Sequence, residues 1–326
     1  MVDYPTALSY IGYGAETSFG AGATPTTAIQ GKVTNFTPNF NNNMIVSRGV
    51  GDGRNVTSYV YGNFSANGSV AWEPTDNGFD FLVHSIGTRS GAGTSGDPYL
   101  LNEADTVVYS GTGIKSCAMA YNTDASSDVE GTVTGVLIND FTVNFAVGAK
   151  VTATANWIGK TVTFDTSPGS ITADTGNPWV GQQATLKWGS TPTAETRVQN
   201  ASITMSNNWV ETRSLGSRFT TEPAPGERRY NFTVTTKLNS SQLTTMRDDF
   251  LGQANSPVSG TGTAVTNLEL KLELASGSKG AYIWLDKCQL FTMSDPIPLG
   301  GGWREVTFTG EAQEGKSNAP IAWWTS

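Results

Sequence analysis

Apolar and polar residues alternate along many short segments of this chain. From 62 to 73 and from 230 to 239, every second residue is mostly apolar or small, and the residues between are mainly Ser, Thr, Asn, Glu or Lys. Because successive side chains of a strand point to opposite faces of a sheet, this period of two predicts strands with one buried and one polar face. The stretch from 137 to 159 alternates on both sides of Gly148, so we predict a long hairpin there.

Two short segments have a helical period instead. Between 77 and 87 the apolar residues recur at intervals of three and four, and Gly87 can end the helix. The segment from 242 to 252 repeats this arrangement and ends on Gly252. We therefore predict a mainly β protein with two short helices.

The order of these elements occurs twice. Segments 33–55 and 198–220 match without a gap at a constant offset of 165 positions, and the shared residues are Val33 and Val198, Asn35 and Asn200, Asn42 and Asn207, Asn43 and Asn208, Arg48 and Arg213, and Gly51 and Gly216. Self-similarity over such a distance indicates a structural unit used twice. We predict an N-terminal arm over 1–31, a first domain over 32–165, a connector over 166–182 and a second domain over 183–326.

Composition limits the classes of function. The 326 residues carry a net charge of −8, which argues against binding nucleic acid through its phosphates, because that takes clustered Lys and Arg. No apolar stretch approaches ~18 residues, so we expect no membrane span. The two cysteines, Cys117 and Cys288, lack metal-binding or redox spacing, and we expect two buried free thiols.

Catalytic motifs are missing from the sequence. The single histidine, His84, lies on the apolar face of a predicted helix, and no partner for a catalytic base is near it in sequence. The segment SGTGIKS (110–116) lacks the glycine that a phosphate loop has before its lysine, and GDGR (51–54) is too short for a calcium loop. We expect no enzyme, no cofactor and no metal. A β-sandwich glycosidase with carboxylates on separate strands is the alternative.

Three segments resemble the tail tube (major tail) protein family of long-tailed phages. They are SYIGYGAETSFGAGATPTTAI (9–29), LINDFTVNFAVGAKVTATANWIGK (137–160) and NNWVETRSLGSRFTTEPAPGERRYNFTVTTKLN (207–239). The resemblance implies two fused tail-tube-type β-barrel or sandwich domains, each with one short flanking α-helix, plus an extended N-terminal arm. It also implies a structural virion protein that polymerises into stacked rings, which form the tube through which viral DNA passes during ejection.

The polar faces of two matching strands are the candidate lining of such a tube. A duct for DNA should not bind it, and small neutral or acidic groups suit that role. The lumen-facing candidates are Ser65, Asn67, Ser69, Glu73, Asn231, Thr233 and Thr235. An ordinary solvated outer face is the alternative reading of these residues.

The two long loops, 48–60 and 213–229, are the candidate contacts between stacked rings, because family members use the equivalent loop for stacking. The charged residues that can pair across rings are Arg48, Asp52, Arg54, Arg213, Arg218 and Glu227. A plain flexible loop is the alternative.

Duplication also gives an expected symmetry. Tail tubes commonly present six tube units per ring, so three chains with two units each would complete a homotrimeric ring with pseudo-sixfold symmetry. A homohexamer with an extra outer domain is the alternative.

The resemblance implies further partners and a location. The partners are tape measure, tail terminator and baseplate or distal tail proteins, and viral DNA in transit without specific binding, with no membrane. The location is the virion tail, after assembly in the host cytoplasm. The rival function is a two-domain β-sandwich binding or decoration protein of a virion, which recognises a receptor or glycan.

Overall fold

A computed structural model describes residues 10–48, 56, 58–107, 113–122, 130–165, 171, 173–195, 197–237, 240–252, 267–296 and 304–326. These residues form a mainly β, antiparallel structure, as the alternation predicts. Its strands are β1 (Tyr10–Ala15), β2 (Thr27–Ala28), β3 (Gly31–Asn41), β4 (Ile45–Ser47), β5 (Ser58–Val60), β6 (Ser65–Pro74), β7 (Gly87–Ser90), β8 (Tyr99–Glu103), β9 (Cys117–Asn122), β10 (Glu130–Ala146), β11 (Thr152–Gly159), β12 (Thr161–Asp165), β13 (Ala184–Gly189), β14 (Thr193–Ala194), β15 (Val198–Ser206), β16 (Val210–Thr212), β17 (Glu222–Ala224), β18 (Arg229–Lys237), β19 (Glu269–Ser276), β20 (Lys279–Ser294), β21 (Glu305–Gly315) and β22 (Ile321–Trp324). Its α-helices are α1 (Val83–Ile86) and α2 (Ser240–Leu251).

Eight strands form the central sheet, in the order β3–β6–β11–β10–β15–β18–β21–β20. The long strands β10 and β20 each also carry a second set of neighbours on their N-terminal halves. For β10 these are β12 and β9, and β9 continues to β1 and β2. For β20 they are β22, which continues to β8 and β7, and β19, which continues to β13 and β14.

The pairings among the described strands do not return to their starting point. The outer edge of β3 and that of the C-terminal half of β20 have no ladder partner within the described residues. These strands therefore form an open, branched sheet. The closed barrel that the sequence analysis allowed is wrong for the described chain, because both ends of the eight-stranded run lack a neighbour in the same molecule.

One face of the central sheet is buried. A row that crosses five strands consists of Phe141, Met205, Tyr230, Ala312 and Cys288, all almost inaccessible to solvent. The two helices cover parts of this sheet, since α1 contacts β10 and α2 contacts β20. Full burial of a large apolar side chain contributes about 1.5–3 kcal/mol, so this face supplies much of the stability.

Both predicted helices form, with different lengths. The first is a 3₁₀ turn, Asp80–Leu82, followed by α1, and the N–H of Gly87 donates to the Val83 carbonyl. The second helix, α2, ends before Gly252, which has a φ of +77°. Glycine adopts that left-handed conformation without a steric penalty, which explains its place after the helix. None of the described helices combines the length and the apolar composition that a membrane span requires.

The segment predicted as an N-terminal arm is part of the fold from Tyr10 onward. Strand β1 pairs with β9 over its whole length, and Ile11 and Tyr13 are buried. The buried carboxylate of Glu16 accepts hydrogen bonds of 3.0–3.2 Å from three glycine N–H groups, those of Gly20, Gly22 and Gly135. The arm prediction is therefore wrong for this part, because the segment is fixed by side-chain-to-backbone bonds that leave no periodic pattern. Residues 1–9 lie outside the described part.

Candidate functional site: a polar sheet face, two hairpins and two open edges

The face of the central sheet opposite the core is polar across its strands, and we call it the polar face. One row across five strands consists of Ala71, Thr154, Thr142, Thr204 and Asn231. The seven lumen-facing candidates all lie on this face, because they alternate in step with this row along β6 and β18. They are Ser65, Asn67, Ser69, Glu73, Asn231, Thr233 and Thr235.

Side chains on the polar face bond to one another across strands. The hydroxyls of Thr142 and Thr204 lie 2.8 Å apart, and those of Thr235 and Thr307 lie 2.9 Å apart. Such cross-strand pairs each contribute about 0.2–1 kcal/mol and fix the side chains in place. The result is an ordered surface of small hydroxyl and amide groups.

Three cations of the polar face have carboxylate partners, whereas Lys32, opposite Glu73 in the β3–β6 ladder, is exposed. Lys150 pairs with Glu73 at 2.7 Å, and Arg229 pairs with Glu227 at 2.9 Å. Lys237 lies 3.8 Å from Glu305. A phosphate backbone is held by clustered, available Lys and Arg, so this face is poorly suited to gripping nucleic acid.

Two small hairpins leave the same end of the sheet. The first, β4–β5, links β3 to β6, and the second, β16–β17, links β15 to β18. Asn43 and Asn208 begin them with φ values of +44° and +51°, and each side-chain amide donates to a carbonyl across the hairpin base, at 2.9 and 2.8 Å. A Cβ added to Gly62 or Gly226 would lie 2.1 Å from the carbonyl oxygen of that asparagine. Asn43 and Asn208, which match in the sequence, therefore form the same type of turn at the base of each hairpin.

The first hairpin has a larger exposed apolar surface than the second. Six of its large apolar side chains are 45–64% exposed, namely Met44, Ile45, Val46, Tyr59, Val60 and Tyr61. In the described part of the second hairpin and its loop, Val210 and Leu215 are the exposed members of this class. Ile45 and Val60 lie opposite each other on one face of this hairpin, and Val46 and Tyr59 on the other, so both faces expose apolar groups. Exposed apolar surface of this extent indicates an interaction site.

The second hairpin binds the first half of the chain. The Arg213 guanidinium donates to the carbonyls of Phe64 and Arg218, at 2.8 and 2.9 Å. The N–H of Phe64 also donates to the Arg218 carbonyl, at 2.7 Å. The Arg218 side chain donates to the Gly62 carbonyl and lies 4.8 Å from the centre of the Tyr61 ring. Two of the predicted stacking residues are thus engaged within the chain.

Two of the other predicted stacking residues, Arg48 and Glu227, have different surroundings. Arg48 is exposed just after β4 and has no hydrogen-bond or ion-pair partner among the described residues. The Glu227 side chain is 70% exposed and pairs with Arg229. Asp52 and Arg54 lie outside the described residues.

The open edge at β3 contrasts with the matching strand β15, which has neighbours on both sides. Three core-facing residues of β15 are buried, namely Ala201, Ile203 and Met205, whereas their matches at the 165-residue offset, Phe36, Pro38 and Phe40, are only half-buried. The difference follows from the missing neighbour of β3. Sequence reasoning missed the β10–β15 ladder, because pairing between distant segments leaves no local signal.

Several ionisable side chains are buried in the core. His84 Nδ1 lies 2.7 Å from the Lys115 carbonyl, and burial lowers the pKa of His84. Cys117 and Cys288 are buried free thiols, which confirms the prediction, and burial raises the pKa of both. A raised thiol pKa makes them poor nucleophiles. Within the described residues, no three acidic, His or Cys side chains cluster to hold a metal.

The tryptophans bear on the rival binding function. Among the described tryptophans, six are buried, namely Trp72, Trp157, Trp179, Trp188, Trp209 and Trp323. Glycan-binding proteins of the kind considered above would expose such rings. These six side chains instead belong to the buried clusters.

Comparison with known proteins identifies one family. A family model described as phage tail tube protein matches residues 6–317, nearly the whole chain. The matched range contains the polar face, both hairpins and both open edges. No curated protein matches the chain significantly.

Proposed function

Because the chain belongs to the phage tail tube protein family, we propose that it polymerises into stacked rings that form the tail tube through which viral DNA passes during ejection. Membership makes it a structural component of the virion tail. The proposal that the chain forms rings rests on one observation. The same pattern of strand pairing occurs twice in the chain and leaves an open edge at β3 and another at β20.

The chain consists of two tube units. Eight pairings of the first unit recur in the second: β3–β6 as β15–β18, β6–β11 as β18–β21, β11–β10 as β21–β20, β10–β9 as β20–β19, β10–β12 as β20–β22, β9–β1 as β19–β13, β1–β2 as β13–β14, and β4–β5 as β16–β17. The first unit therefore begins with β1, inside the segment expected to be an arm.

The register supports the same correspondence. In the first unit Phe36, Val70, Ala155 and Phe141 form one row across four strands, and in the second Ala201, Val234, Phe308 and Met293 form the matching row. A β-bulge interrupts the first ladder between Val33 and Asn35, and the second between Val198 and Asn200, at the same offset of 165. Bulges at matched positions are features of a shared fold rather than accidents.

The strand pairing between the two units of one chain indicates how neighbouring chains pair in a ring. Within the chain, β10 of the first unit pairs with β15 of the second from Asp140 to Ala146. The matching strands are β20 and β3, and their matching edges are the open ones. We infer that β20 of one copy pairs with β3 of the next, with Ser294 opposite Asn39. A ring of six units then contains three chains with pseudo-sixfold symmetry.

In such a ring the polar face lines the lumen. The central sheets of three chains join into one wall, and the helices cover its apolar side. Hydroxyl, amide and paired ionic groups, together with a chain charge of −8, suit passage of DNA without binding. The other partners are those of a tail: tape measure, tail terminator and baseplate or distal tail proteins, after assembly in the host cytoplasm.

A cysteine pair tests the junction. Directly opposite residues of an antiparallel pair bring their Cβ atoms close enough for a disulfide, and both native thiols are buried. The double variant Asn39→Cys with Ser294→Cys should give reversible dimers and trimers on a non-reducing gel, with each single variant as control. Rings visible by negative-stain microscopy but without cross-links would contradict the proposed edge pairing. A ladder that continues to six chains would contradict the trimer.

A further inference from the structure

We propose that the β4–β5 hairpin is a lateral clamp on the neighbouring copy of this chain within one ring, and that Arg48 bonds the backbone at Arg228 of that copy. This inference rests on the proposed ring. It reassigns Arg48 from a contact between stacked rings to a contact inside a ring.

The second hairpin provides the precedent inside the chain. Arg213 joins two carbonyls, one at Phe64 before β6 and one in its own loop. The Phe219 ring adds an edge contact to the Phe64 ring at 5.7 Å. The second unit therefore binds the first at Phe64, immediately before β6.

Arg48 has the same position in the first hairpin. It matches Arg213 at the offset of 165, as β4 matches β16 and Asn43 matches Asn208. The two residues differ in what surrounds them, because Arg213 is engaged whereas Arg48 is exposed and without a partner among the described residues. That difference is expected if the partner of Arg48 belongs to another molecule.

The receiving site also exists in the second unit. β6 matches β18 at an offset of 164, so Phe64 corresponds to Arg228. Both backbone groups of Phe64 are bonded to the second hairpin or its loop. Among the described residues, the N–H and C=O of Arg228 have no hydrogen-bond partner. Arg213 also forms an ion pair with Glu211 on its own hairpin, whereas the residue at the matching position beside Arg48 is Val46. The largely exposed Glu227, next to Arg228, offers Arg48 a carboxylate instead.

Two further observations favour a clamp. The six exposed apolar residues of the β4–β5 hairpin are accounted for if a neighbouring chain covers part of them. The interchain ladder is also short of bonds, since Pro38 in β3 has no N–H and Pro296 follows β20. Contacts outside the ladder would therefore strengthen the ring, and the clamp supplies such contacts.

Ring assembly tests the clamp. Sedimentation of Arg48→Ala, Arg48→Lys and the matched surface control Arg89→Ala would be compared with the parent chain, with circular dichroism to check folding. A charged group contributes roughly 1.5–3 kcal/mol per hydrogen bond, so Arg48→Ala should weaken ring formation at least about tenfold, while Arg89→Ala leaves it unchanged. Arg48→Lys should be intermediate, because lysine cannot make the forked contact.

Two results would overturn the clamp. Normal rings with shorter tubes in Arg48→Ala would assign Arg48 to stacking, and normal rings with normal tubes would leave it without a role in assembly. Failure of the parent chain to form rings is a separate result and would instead contradict the proposed function.

Discussion

Replacing Arg213 by Ala removes the hydrogen bonds by which the Arg213 side chain joins the second unit to the first. The guanidinium makes two hydrogen bonds to carbonyls, at 2.8 and 2.9 Å, and its side chain is 21% exposed. A hydrogen bond to a charged group contributes about 1.5–3 kcal/mol. Water can partly replace the guanidinium at this half-buried site, so we expect a total loss of about 1.5–3 kcal/mol rather than the sum of two bonds.

The assay is urea unfolding of dilute, unassembled chain, followed by tryptophan fluorescence. Arg89→Ala is the control, because its ion pair with Asp80 is half exposed and such pairs contribute about 0–1 kcal/mol. Arg48→Ala should leave unfolding of the isolated chain unchanged to within about 0.5 kcal/mol. If Arg213→Ala lowers the free energy of unfolding no more than Arg89→Ala does, the contacts of Arg213 contribute little to stability. The proposal that Arg48 makes the same contacts between chains would then lose its main support.

Three further predictions concern the fold and the lumen. Glu16→Gln should lower the free energy of unfolding by about 2–4 kcal/mol, because the amide places an N–H donor against buried N–H groups. A change under about 0.5 kcal/mol in urea unfolding would mean that the bonds of Glu16 to the glycine N–H groups contribute little to stability. Burial lowers the pKa of His84 in the folded state, so the unfolded chain binds the proton more readily as pH falls. The free energy of unfolding should therefore decrease as pH drops below about 6.5, the pKa of an unperturbed histidine. In thermal unfolding between pH 7 and 5, His84→Gln should lose the pH dependence that His84 contributes. Asn67→Lys with Thr233→Lys should leave assembly intact and slow DNA ejection from phage carrying it, relative to Asn67→Gln with Thr233→Ser; unchanged ejection would place this face outside the lumen.

Much of the fold follows from local patterns in the sequence. Alternation predicts β6, β11 and β18, and helical spacing with a terminal glycine predicts α1 and α2. The pair Asn43 and Asn208 indicates a repeat in the sequence, and the structure explains the pair, because both residues adopt the left-handed conformation where a hairpin begins.

The parts that sequence reasoning missed depend on contacts between distant segments. Strand β1 is held by β9 and by the bonds of Glu16 to glycine N–H groups, so no periodic pattern marks it. Arg213 and Arg48 look alike in sequence, and only the fold distinguishes the one with an internal partner from the one without. The open edges of β3 and β20 are equally invisible, because an edge is defined by the absence of a neighbour.

The central claim is that one chain supplies two tube units. Native mass spectrometry of a single assembled ring tests it most directly, since the chain mass is 34.5 kDa. The account predicts a ring of three chains, and class averages of that ring should show threefold symmetry with six similar lobes around one hole. A ring of six chains with sixfold symmetry would contradict it.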